Sequence, residues 1–288
     1  MMGTKARLGI CAAAATLAVT AVAGCSGSGG SGGASGAGAG SGDSPALSLV
    51  ADAMNKANSE STVRMTGTTS VKGETTQVSG EARYSPSVEM SMTTQINGQS
   101  MSIVYLGETM YMNYPELAPE LDGKSWGEID LANLGGKLGS LSSILASAKS
   151  YNPVSGLEAM IASGKVTKVG TATVDGQQTT EYSGSFTAAE LAQLGTSGSN
   201  LTTAQASDLK QLFSQEGLSS ESIEVWVASS GLPVEERTVT DAAGATATAA
   251  MYFSDWGQPV QIGAPPASEV YNMTGELSSA GATAGSAG

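Results

Sequence analysis

The stretch EMSMTTQINGQSMSIVYLGETMYMN, residues 89–113, decides the fold of this chain. It begins with alternating residues, reverses direction at Asn97-Gly98 and reverses again at Gly107-Glu108. An Asn-Gly pair between two alternating runs is the strongest short signal for a β-hairpin. The stretch therefore predicts three consecutive antiparallel strands, which we place at residues 88–96, 99–106 and 109–114.

The two turns also fix which residues face each other across the strands. Directly opposed residues of antiparallel strands lie on the same face of the sheet. With two-residue turns, Met92 lies opposite Ile103 and Met110 lies opposite Tyr105. A preceding hairpin, which turns at Lys72-Gly73, extends this face by two strands. Our candidates for lining a ligand cavity are the residues of this face, namely Met65, Gly80, Ala82, Met90, Met92, Met101, Ile103, Tyr105, Met110 and Met112.

The methionines and glycines of this face leave three interpretations open. The chain has 12 Met but only 3 Phe, whereas a sheet built for packing favours Val, Ile and Phe. Met adapts to irregular apolar partners, and glycine within a strand lets another group approach the backbone. The face is an ordinary core filled by helices, a cavity for acyl chains, or a Cu(I) site in which thioethers such as those of Met90 and Met92 are soft ligands.

Outward from this stretch, the sequence pattern predicts further strands and several helices. Asp175-Gly176 marks another hairpin, and Thr187 with Glu190 forms a capping box that begins a helix. In total we expect ten or eleven antiparallel strands. Helices are predicted at 45–58, 138–149, 153–163, 187–194, 203–216 and 267–273, and the other strands at 61–71, 75–84, 165–174, 177–186, 222–228, 234–241 and 245–254.

The residues needed for most enzyme chemistry are missing from the sequence. The chain contains no His, which removes the commonest general base and the commonest metal ligand. Ser207 and Lys210 match the S-x-x-K motif of penicillin-binding enzymes, but the K-T-G and S-D-N motifs that accompany it there are absent. We therefore expect a protein that is not an enzyme and that needs no cofactor.

Acidic residues are concentrated between residues 116 and 130. They lack the spacing and the glycine of an EF-hand calcium loop. A solvated face is predicted, and a weak calcium site is the alternative. The run consists of Glu116, Glu120, Asp122, Glu128 and Asp130.

The N-terminus has the layout of an export signal. Lys5 and Arg7 precede an uncharged apolar run over residues 8–22, which is shorter than the ~20 residues of a membrane span. The junction VAGC, residues 22–25, resembles the lipobox of bacterial lipoproteins, and this resemblance implies that Cys25 receives a diacylglyceryl group. Residues 1–24 are then a signal peptide and 25–44 a Gly/Ser-rich tether. A plain signal peptide or an uncleaved anchor is the alternative.

The charge of the chain limits its partners. The net charge is −13, and without Lys5 and Arg7 the 26 acidic residues face 11 basic ones, a net charge of −15. Such a surface repels nucleic acid and anionic membrane surfaces. We therefore expect export to the outer face of the cell membrane, membrane contact through the lipid anchor, and no nucleic-acid partner.

Three stretches carry a resemblance to a known family: KVTKVGTATVDGQQTTEYSGSF (165–186), IEVWVASSGLPVEERTV (223–239) and YFSDWGQPVQIGAPPASEV (252–270). Together with the element order, they resemble the LolA-like fold and the LppX/LprG-type lipoproteins of actinobacteria. The resemblance implies an α+β fold over residues 45–274, in which a half-open antiparallel β-barrel carries helices on its concave side, followed by a disordered tail, 275–288.

The same resemblance implies a carrier of lipids or lipoproteins that has no catalytic residues. The alternative function is an interaction or sensor module that holds no ligand and acts beside a membrane partner.

Overall fold

A computed structural model describes residues 45–133 except Asn97, residues 154–194, Ser214 and residues 217–277. The predicted signal peptide and tether, Ser207 with Lys210, and the helices predicted at 138–149 and 203–216 lie outside the described residues, apart from Ser214. Within the described residues, no helix combines the length and the apolar character needed to cross a bilayer.

The described chain forms twelve strands in one sheet. The strands are β1 (Thr62–Val71), β2 (Glu74–Arg83), β3 (Glu89–Ile96), β4 (Gln99–Leu106), β5 (Thr109–Asn113), β6 (Trp126–Asp130), β7 (Thr167–Val174), β8 (Gln177–Thr187), β9 (Leu218–Ala228), β10 (Pro233–Ala242), β11 (Ala245–Ser254) and β12 (Val270–Asn272). The helices are α1 (Pro45–Glu60), α2 (Ser155–Ser163) and α3 (Ala188–Leu194), with short 3₁₀ helices at Pro115–Glu120 and Ala267–Glu269.

The sheet is open, with β12 at one edge and β7 at the other. Its strand order is β12-β6-β5-β4-β3-β2-β1-β11-β10-β9-β8-β7, so that the long-range pair β1–β11 joins two meanders. All neighbouring pairs are antiparallel except β12–β6, which is parallel. The predicted α+β fold with a half-open, mainly antiparallel barrel is confirmed, with twelve strands in place of the ten or eleven expected.

The prediction of a helix at residues 267–273 is wrong. A 3₁₀ helix covers Ala267–Glu269, and the chain then continues as β12 alongside β6. Val270 and Tyr271 are β-branched and aromatic residues, which favour strands. The backbone N–H of Met273 donates a hydrogen bond to the carbonyl of Glu128 at 2.9 Å, which extends this pairing. The acidic residues around Ile129 had concealed β6 in the sequence.

The described chain continues for a few residues after β12. Residues 274–277 form a helical turn, in which the N–H of Leu277 donates to the carbonyl of Met273 at 3.1 Å. The side chain of Leu277 packs against the apolar interior of the sheet. Residues 275–277 fall within the segment that the sequence analysis assigned to a disordered tail, 275–288, and the rest of that segment lies outside the described residues.

The described helices cover the half of the sheet that contains β7–β10. α1 packs against α2, and α2 and α3 pack on β9. Their contacts bury Val50, Leu157, Phe186 and Ile223, each at most 2% exposed. We call this cluster the helical core. It agrees with the expectation that helices lie on the concave side of the barrel.

The predicted capping box at the start of α3 is confirmed. The backbone N–H of Glu190 donates to Thr187 Oγ1 at 3.3 Å, and the N–H of Thr187 donates to Glu190 Oε2 at 2.8 Å. These two bonds satisfy N–H groups that a helix start leaves without partners. Lys165 Nζ lies 2.5 Å from Glu190 Oε1, and this hydrogen bond, with those from Thr187, lowers the pKa of Glu190 to about 2.

Candidate functional site

The strand registers predicted around residues 89–113 are all present in the structure. Met92 lies opposite Ile103, Tyr105 lies opposite Met110, and Gly80 lies opposite Met92. Our ten cavity candidates therefore share the inner face of five adjacent strands, β1–β5. We call this surface the methionine face: Met65, Gly80, Ala82, Met90, Met92, Met101, Ile103, Tyr105, Met110 and Met112.

The structure adds neighbours to this face that the sequence analysis did not identify. Phe253 and Met251 of β11 lie opposite Met65 and Gly67 of β1. On the other side, Ile129 of β6 lies opposite Met110. The β1–β11 pairing is long-range, so no local turn signal reveals it.

Burial decreases in steps along the strands of the methionine face. One cross-strand row is closed to solvent, with each side chain at most 8% exposed, namely Val63, Ala82, Met90, Tyr105, Met110 and Ile129. A second cross-strand row, four residues further along each strand, is half-buried. It consists of Met251, Gly67, Val78, Thr94 and Met101. This second row lies towards the ends at which β1 leads into β2 and β3 leads into β4, so the face is closed at one end and more open at this turn end.

Three glycines near this face are each covered by a methionine side chain. A Cβ atom on Gly80 would lie 3.0 Å from Met92 Cγ, and one on Gly67 would lie 2.9 Å from Met251 Sδ. Met273 Sδ lies in the same way against Gly127. The sequence analysis interpreted such glycines as room for another group, whereas in this structure methionine side chains occupy that room. We call them the methionine–glycine pairs.

Tyr105 brings a hydroxyl group to the closed row of this face. Burial, with a smaller contribution from the charge of Glu108, raises the pKa of Tyr105 to about 12. The phenol is therefore neutral at physiological pH. Among the described residues, no hydrogen-bond partner is found for its Oη atom, which makes it available to a polar group of a ligand.

Further aromatic side chains support the methionine face where it meets the helical core. Tyr84 Oη donates a hydrogen bond to the carbonyl of Ala57 in α1 at 2.5 Å. Trp256 Nε1 donates to the carbonyl of Pro233 at 2.9 Å, and its ring lies 5.8 Å from that of Phe253. These contacts attach β2 and the segment after β11 to the helical half of the molecule.

Two carboxylic acids lie on the inner face of β9 and β10. Glu221 is 6% exposed and accepts a hydrogen bond from Thr240 Oγ1 at 3.3 Å. Glu236 lies between Val225 and Met251 in the sheet, and its carboxylate packs against Gly156 of α2. Burial raises the pKa of Glu221 to about 7. Burial, and then the charge of Glu221, raise the pKa of Glu236 to about 8.

Glu236 is a site residue that the sequence analysis missed. A register shift between Pro233 and Glu235 interrupts β10, and a shift of one residue exchanges the two faces of a strand. Glu235 consequently lies on the outer face, where it pairs with Arg237 at 3.1 Å. Glu236 takes the inner position, at the seam between the helical core and the methionine face.

The acidic run is partly structural. Glu128 Oε1 accepts a hydrogen bond from Asn272 Nδ2 at 2.7 Å, and Asp130 Oδ2 accepts one from Asn133 Nδ2 at 2.6 Å. In the described part of the chain, no group of three or more His, Cys, Asp or Glu side chains is arranged to hold a metal ion. Cys25 and the Ser207–Lys210 motif lie outside the described residues.

No protein-family model matches this chain. An uncharacterized 31.2 kDa protein of Streptomyces griseus from the rplA–rplJ intergenic region is 29% identical over 190 residues, which are 65% of this chain and 61% of that protein. The chain thus spans about three fifths of the length of the curated relative that it matches.

Several solved structures are similar to this chain at low sequence identity. Lipoprotein LppX of Mycobacterium tuberculosis is 15% identical with a TM-score of 0.45, and the match covers 75% of this chain and 97% of LppX. LprF of Mycobacterium bovis is 17% identical with a TM-score of 0.46, and the match covers 76% of this chain and 96% of LprF. A LolA superfamily protein of Nitrosomonas europaea is 9% identical with a TM-score of 0.28, and the match covers 75% of this chain and 94% of that protein. At these identities the likeness concerns the fold alone. The solved structures to which this chain is similar include LppX, LprF and a LolA superfamily protein, the group that its sequence resembles.

Proposed function

We propose that this chain is an exported, membrane-anchored lipoprotein that binds a lipid acyl chain or another apolar ligand on its methionine face. The observation that supports this proposal is the graded burial of that face, which is closed at one end and half-buried at the turn end. Such a surface accepts an elongated apolar molecule from the open end. The binding is non-catalytic.

The methionine–glycine pairs make this face adaptable. A methionine side chain has several rotatable bonds and fits irregular apolar partners. When Met92 rotates away from Gly80, it uncovers a backbone segment that carries no side chain. A ligand methylene that takes the same place is removed from water, which contributes about 0.8 kcal/mol per CH₂ group. The Tyr105 hydroxyl is the group on this face that would bond a carbonyl of the ligand.

The anchor is the second part of the proposal. Cys25 follows a short apolar run and precedes a Gly/Ser-rich segment. A Gly-rich coil of this length spans roughly 25 Å on average, so a lipidated Cys25 would keep the domain close to the membrane that contains its ligand. Metabolic labelling of the protein with a fatty-acid probe tests this part, and labelling that persists in Cys25→Ala would contradict it.

The binding proposal is tested with a fluorescent fatty-acyl probe and the full-length chain. Ala82 is 1% exposed and lies in the closed row of the methionine face. If ligand space adjoins it, Ala82→Phe abolishes probe binding and changes the unfolding midpoint little. Thr75→Phe is the matched control, because Thr75 lies on the same strand but is exposed, and this variant should bind the probe as the wild type does.

Three results would favour the other interpretations. In an ordinary filled core, the wild type binds no probe and Ala82→Phe costs typically about 1–3 kcal/mol of unfolding free energy. An interaction module binds no probe either, but acquires a protein partner. A Cu(I) carrier is stabilised by Cu(I), and loses that stabilisation in Met90→Leu/Met92→Leu, which keeps the apolar volume and removes the sulfur atoms.

A further inference from the structure

The outer face of the sheet, opposite the methionine face, carries a groove of about 340 Å³. In the sheet, Thr66 lies opposite both Ser79 and Tyr252, and Gln77 lies opposite both Thr68 and Gln95. Opposed side chains share a face, so these polar groups point into the groove together. The lining residues that face outwards are Thr66, Thr68, Gln77, Ser79, Thr93, Gln95 and Tyr252. Gly67 and Val78, which alternate with them along β1 and β2, also line the groove, although they belong to a row of the inner face.

We propose that this groove binds a neutral carbohydrate. The inference goes beyond the proposed function and is independent of it, because the groove and the methionine face lie on opposite sides of the same strands.

The hydrogen-bonding groups of the groove are available to a ligand. Thr93 Oγ1 and Ser102 Oγ lie 3.0 Å apart and bond to each other. Within the described residues, by contrast, no side-chain hydrogen bond to a protein group is found for Thr66, Thr68, Gln77, Ser79 or Gln95. Hydroxyl and amide side chains both donate and accept, as do the hydroxyl groups of a sugar.

The groove carries no charge, although the chain as a whole has a net charge of −13. The groove is bordered by two ion-pair clusters in which carboxylates outnumber arginines. At one border Arg64 pairs with Glu81 at 2.8 Å and with Asp255 at 2.9 Å. At the other, Arg237 pairs with Glu235 at 3.1 Å and with Glu224 at 3.4 Å. The lining itself offers no cationic side chain to an anion and no carboxylate to a cation, and the surrounding negative potential disfavours anions. This favours a neutral ligand.

Tyr252 supplies an aromatic surface at the side of the groove. It is 39% exposed, whereas its neighbour Phe253 on β11 is 6% exposed. The face of an aromatic ring is electron-rich, and the C–H groups on one side of a sugar ring pack against such a face. Together with the methyl groups of Thr66 and Thr68, the ring gives an apolar patch beside polar groups, which matches the two-sided character of a sugar.

The position of the groove argues against an extended peptide as its occupant. Peptide strands bind at sheet edges, where unpaired backbone groups supply hydrogen bonds. β1, β2, β3 and β11 each have a paired neighbour on both sides in the strand order. A ligand in the groove therefore meets side chains and no unpaired backbone. Its volume is near the lower limit of the ~300–1,000 Å³ of small-molecule sites, which fits a few sugar rings at most.

The experiment uses the full-length protein in a detergent that has no sugar headgroup. Isothermal titration calorimetry measures binding of the neutral hexasaccharides maltohexaose, cellohexaose and mannohexaose, with a hyaluronan hexasaccharide as the charged comparison. We expect at least one neutral hexasaccharide to bind and the charged one not to bind. Tyr252→Ala should weaken binding about tenfold, which corresponds to about 1.4 kcal/mol. Tyr252→Phe should bind like the wild type, because it retains the ring.

Two further variants localise the site. Gln77→Ala/Gln95→Ala should weaken binding, whereas Gln177→Ala/Gln178→Ala, at two exposed glutamines of the β7–β8 hairpin that do not line the groove, should leave it unchanged. The proposal is overturned if no neutral hexasaccharide binds, if the charged sugar binds equally well, or if Tyr252→Ala keeps full affinity. The fatty-acyl probe distinguishes the two sites, because its binding should not change in saturating sugar or in Tyr252→Ala.

Discussion

Glu236 is the residue at which the two halves of the interior meet. Its neighbours on the inner face are Val225 on β9, which belongs to the helical core, and Met251 on β11, beside the methionine face. Gly156 of α2 packs directly on its carboxylate, so that any side chain at position 156 would collide with it. The helix can approach the sheet this closely because Gly156 has no Cβ atom.

This position makes stability depend on pH. Burial raises the pKa of Glu236 from 4.5 to about 8, so the folded protein holds this proton more tightly than the unfolded chain does. The resulting stabilisation is complete below about pH 4.5 and is lost as the pH rises through about 8. One pKa unit corresponds to about 1.4 kcal/mol.

We predict that Glu236→Gln reduces the loss of unfolding free energy between pH 5 and pH 9, because the variant has no proton to lose at this position. Urea denaturation at the two pH values measures the effect. Glu235→Gln, a change on the outer face next to it, is the control and should keep the wild-type loss. If Glu236→Gln loses as much stability as the wild type, the carboxyl of Glu236 is not the group responsible.

The hairpins are the elements that the sequence determines most directly. Asn97-Gly98, Gly107-Glu108 and Asp175-Gly176 each join neighbouring strands, and their two-residue turns fix the register of every side chain that follows. For this reason the amino-acid pattern alone places the ten residues of the methionine face together. The capping box at Thr187 is recognisable in the same way, since its signal spans four residues.

The elements that the sequence did not reveal depend on distant partners. β12 is three residues long and pairs with β6, more than 140 positions away. Local preference alone favoured a helix after Pro265-Pro266. Glu236 escaped notice because the bulge in β10 exchanges its faces, and a bulge has no strong local signal in this stretch. Likewise, Met92 covers Gly80 through its rotamer, which alternation of residues does not specify.

The β2–β3 pair tolerates a side chain at position 80 poorly. A Cβ atom on Gly80 would lie 2.6 Å from the backbone oxygen of Ser91, and a backbone atom cannot move without disturbing the strand. We predict that Gly80→Ala lowers the unfolding free energy by about 1–3 kcal/mol, as measured by urea denaturation.

Gly170→Ala provides the matched control for that substitution. Gly170 lies on β7, and nothing lies within 4 Å of the position that its Cβ atom would take. Replacing such a glycine reduces the freedom of the unfolded chain and stabilises by about 0.4–1 kcal/mol where the backbone permits it. Equal stabilities of the two variants would show that the sheet relaxes easily around position 80.

At the scale of the whole molecule, the two faces of one sheet have different chemistry. The inner face of β1–β5 is apolar and rich in methionine, whereas the outer face of β1–β3 carries hydroxyl and amide groups beside the exposed Tyr252 of β11. Successive side chains of a strand point to opposite faces of the sheet, so one set of strands can form two chemically different faces. A molecule with an apolar part and a sugar part would therefore meet suitable surfaces on the two sides of the same sheet.

The methionine–glycine pairs make the interior vulnerable to oxidants. Oxidation converts a flexible thioether into a polar sulfoxide, so a damaged Met92 or Met251 would place a polar group over the glycine that it covers. Met251 is half-buried, whereas Met92 is 8% exposed, and peptide mass spectrometry after mild peroxide treatment should find sulfoxide at Met251 first. A ligand seated on this face would shield both sulfur atoms. An exported protein built in this way would lose its capacity to hold apolar molecules gradually, methionine by methionine, and fastest while it is empty.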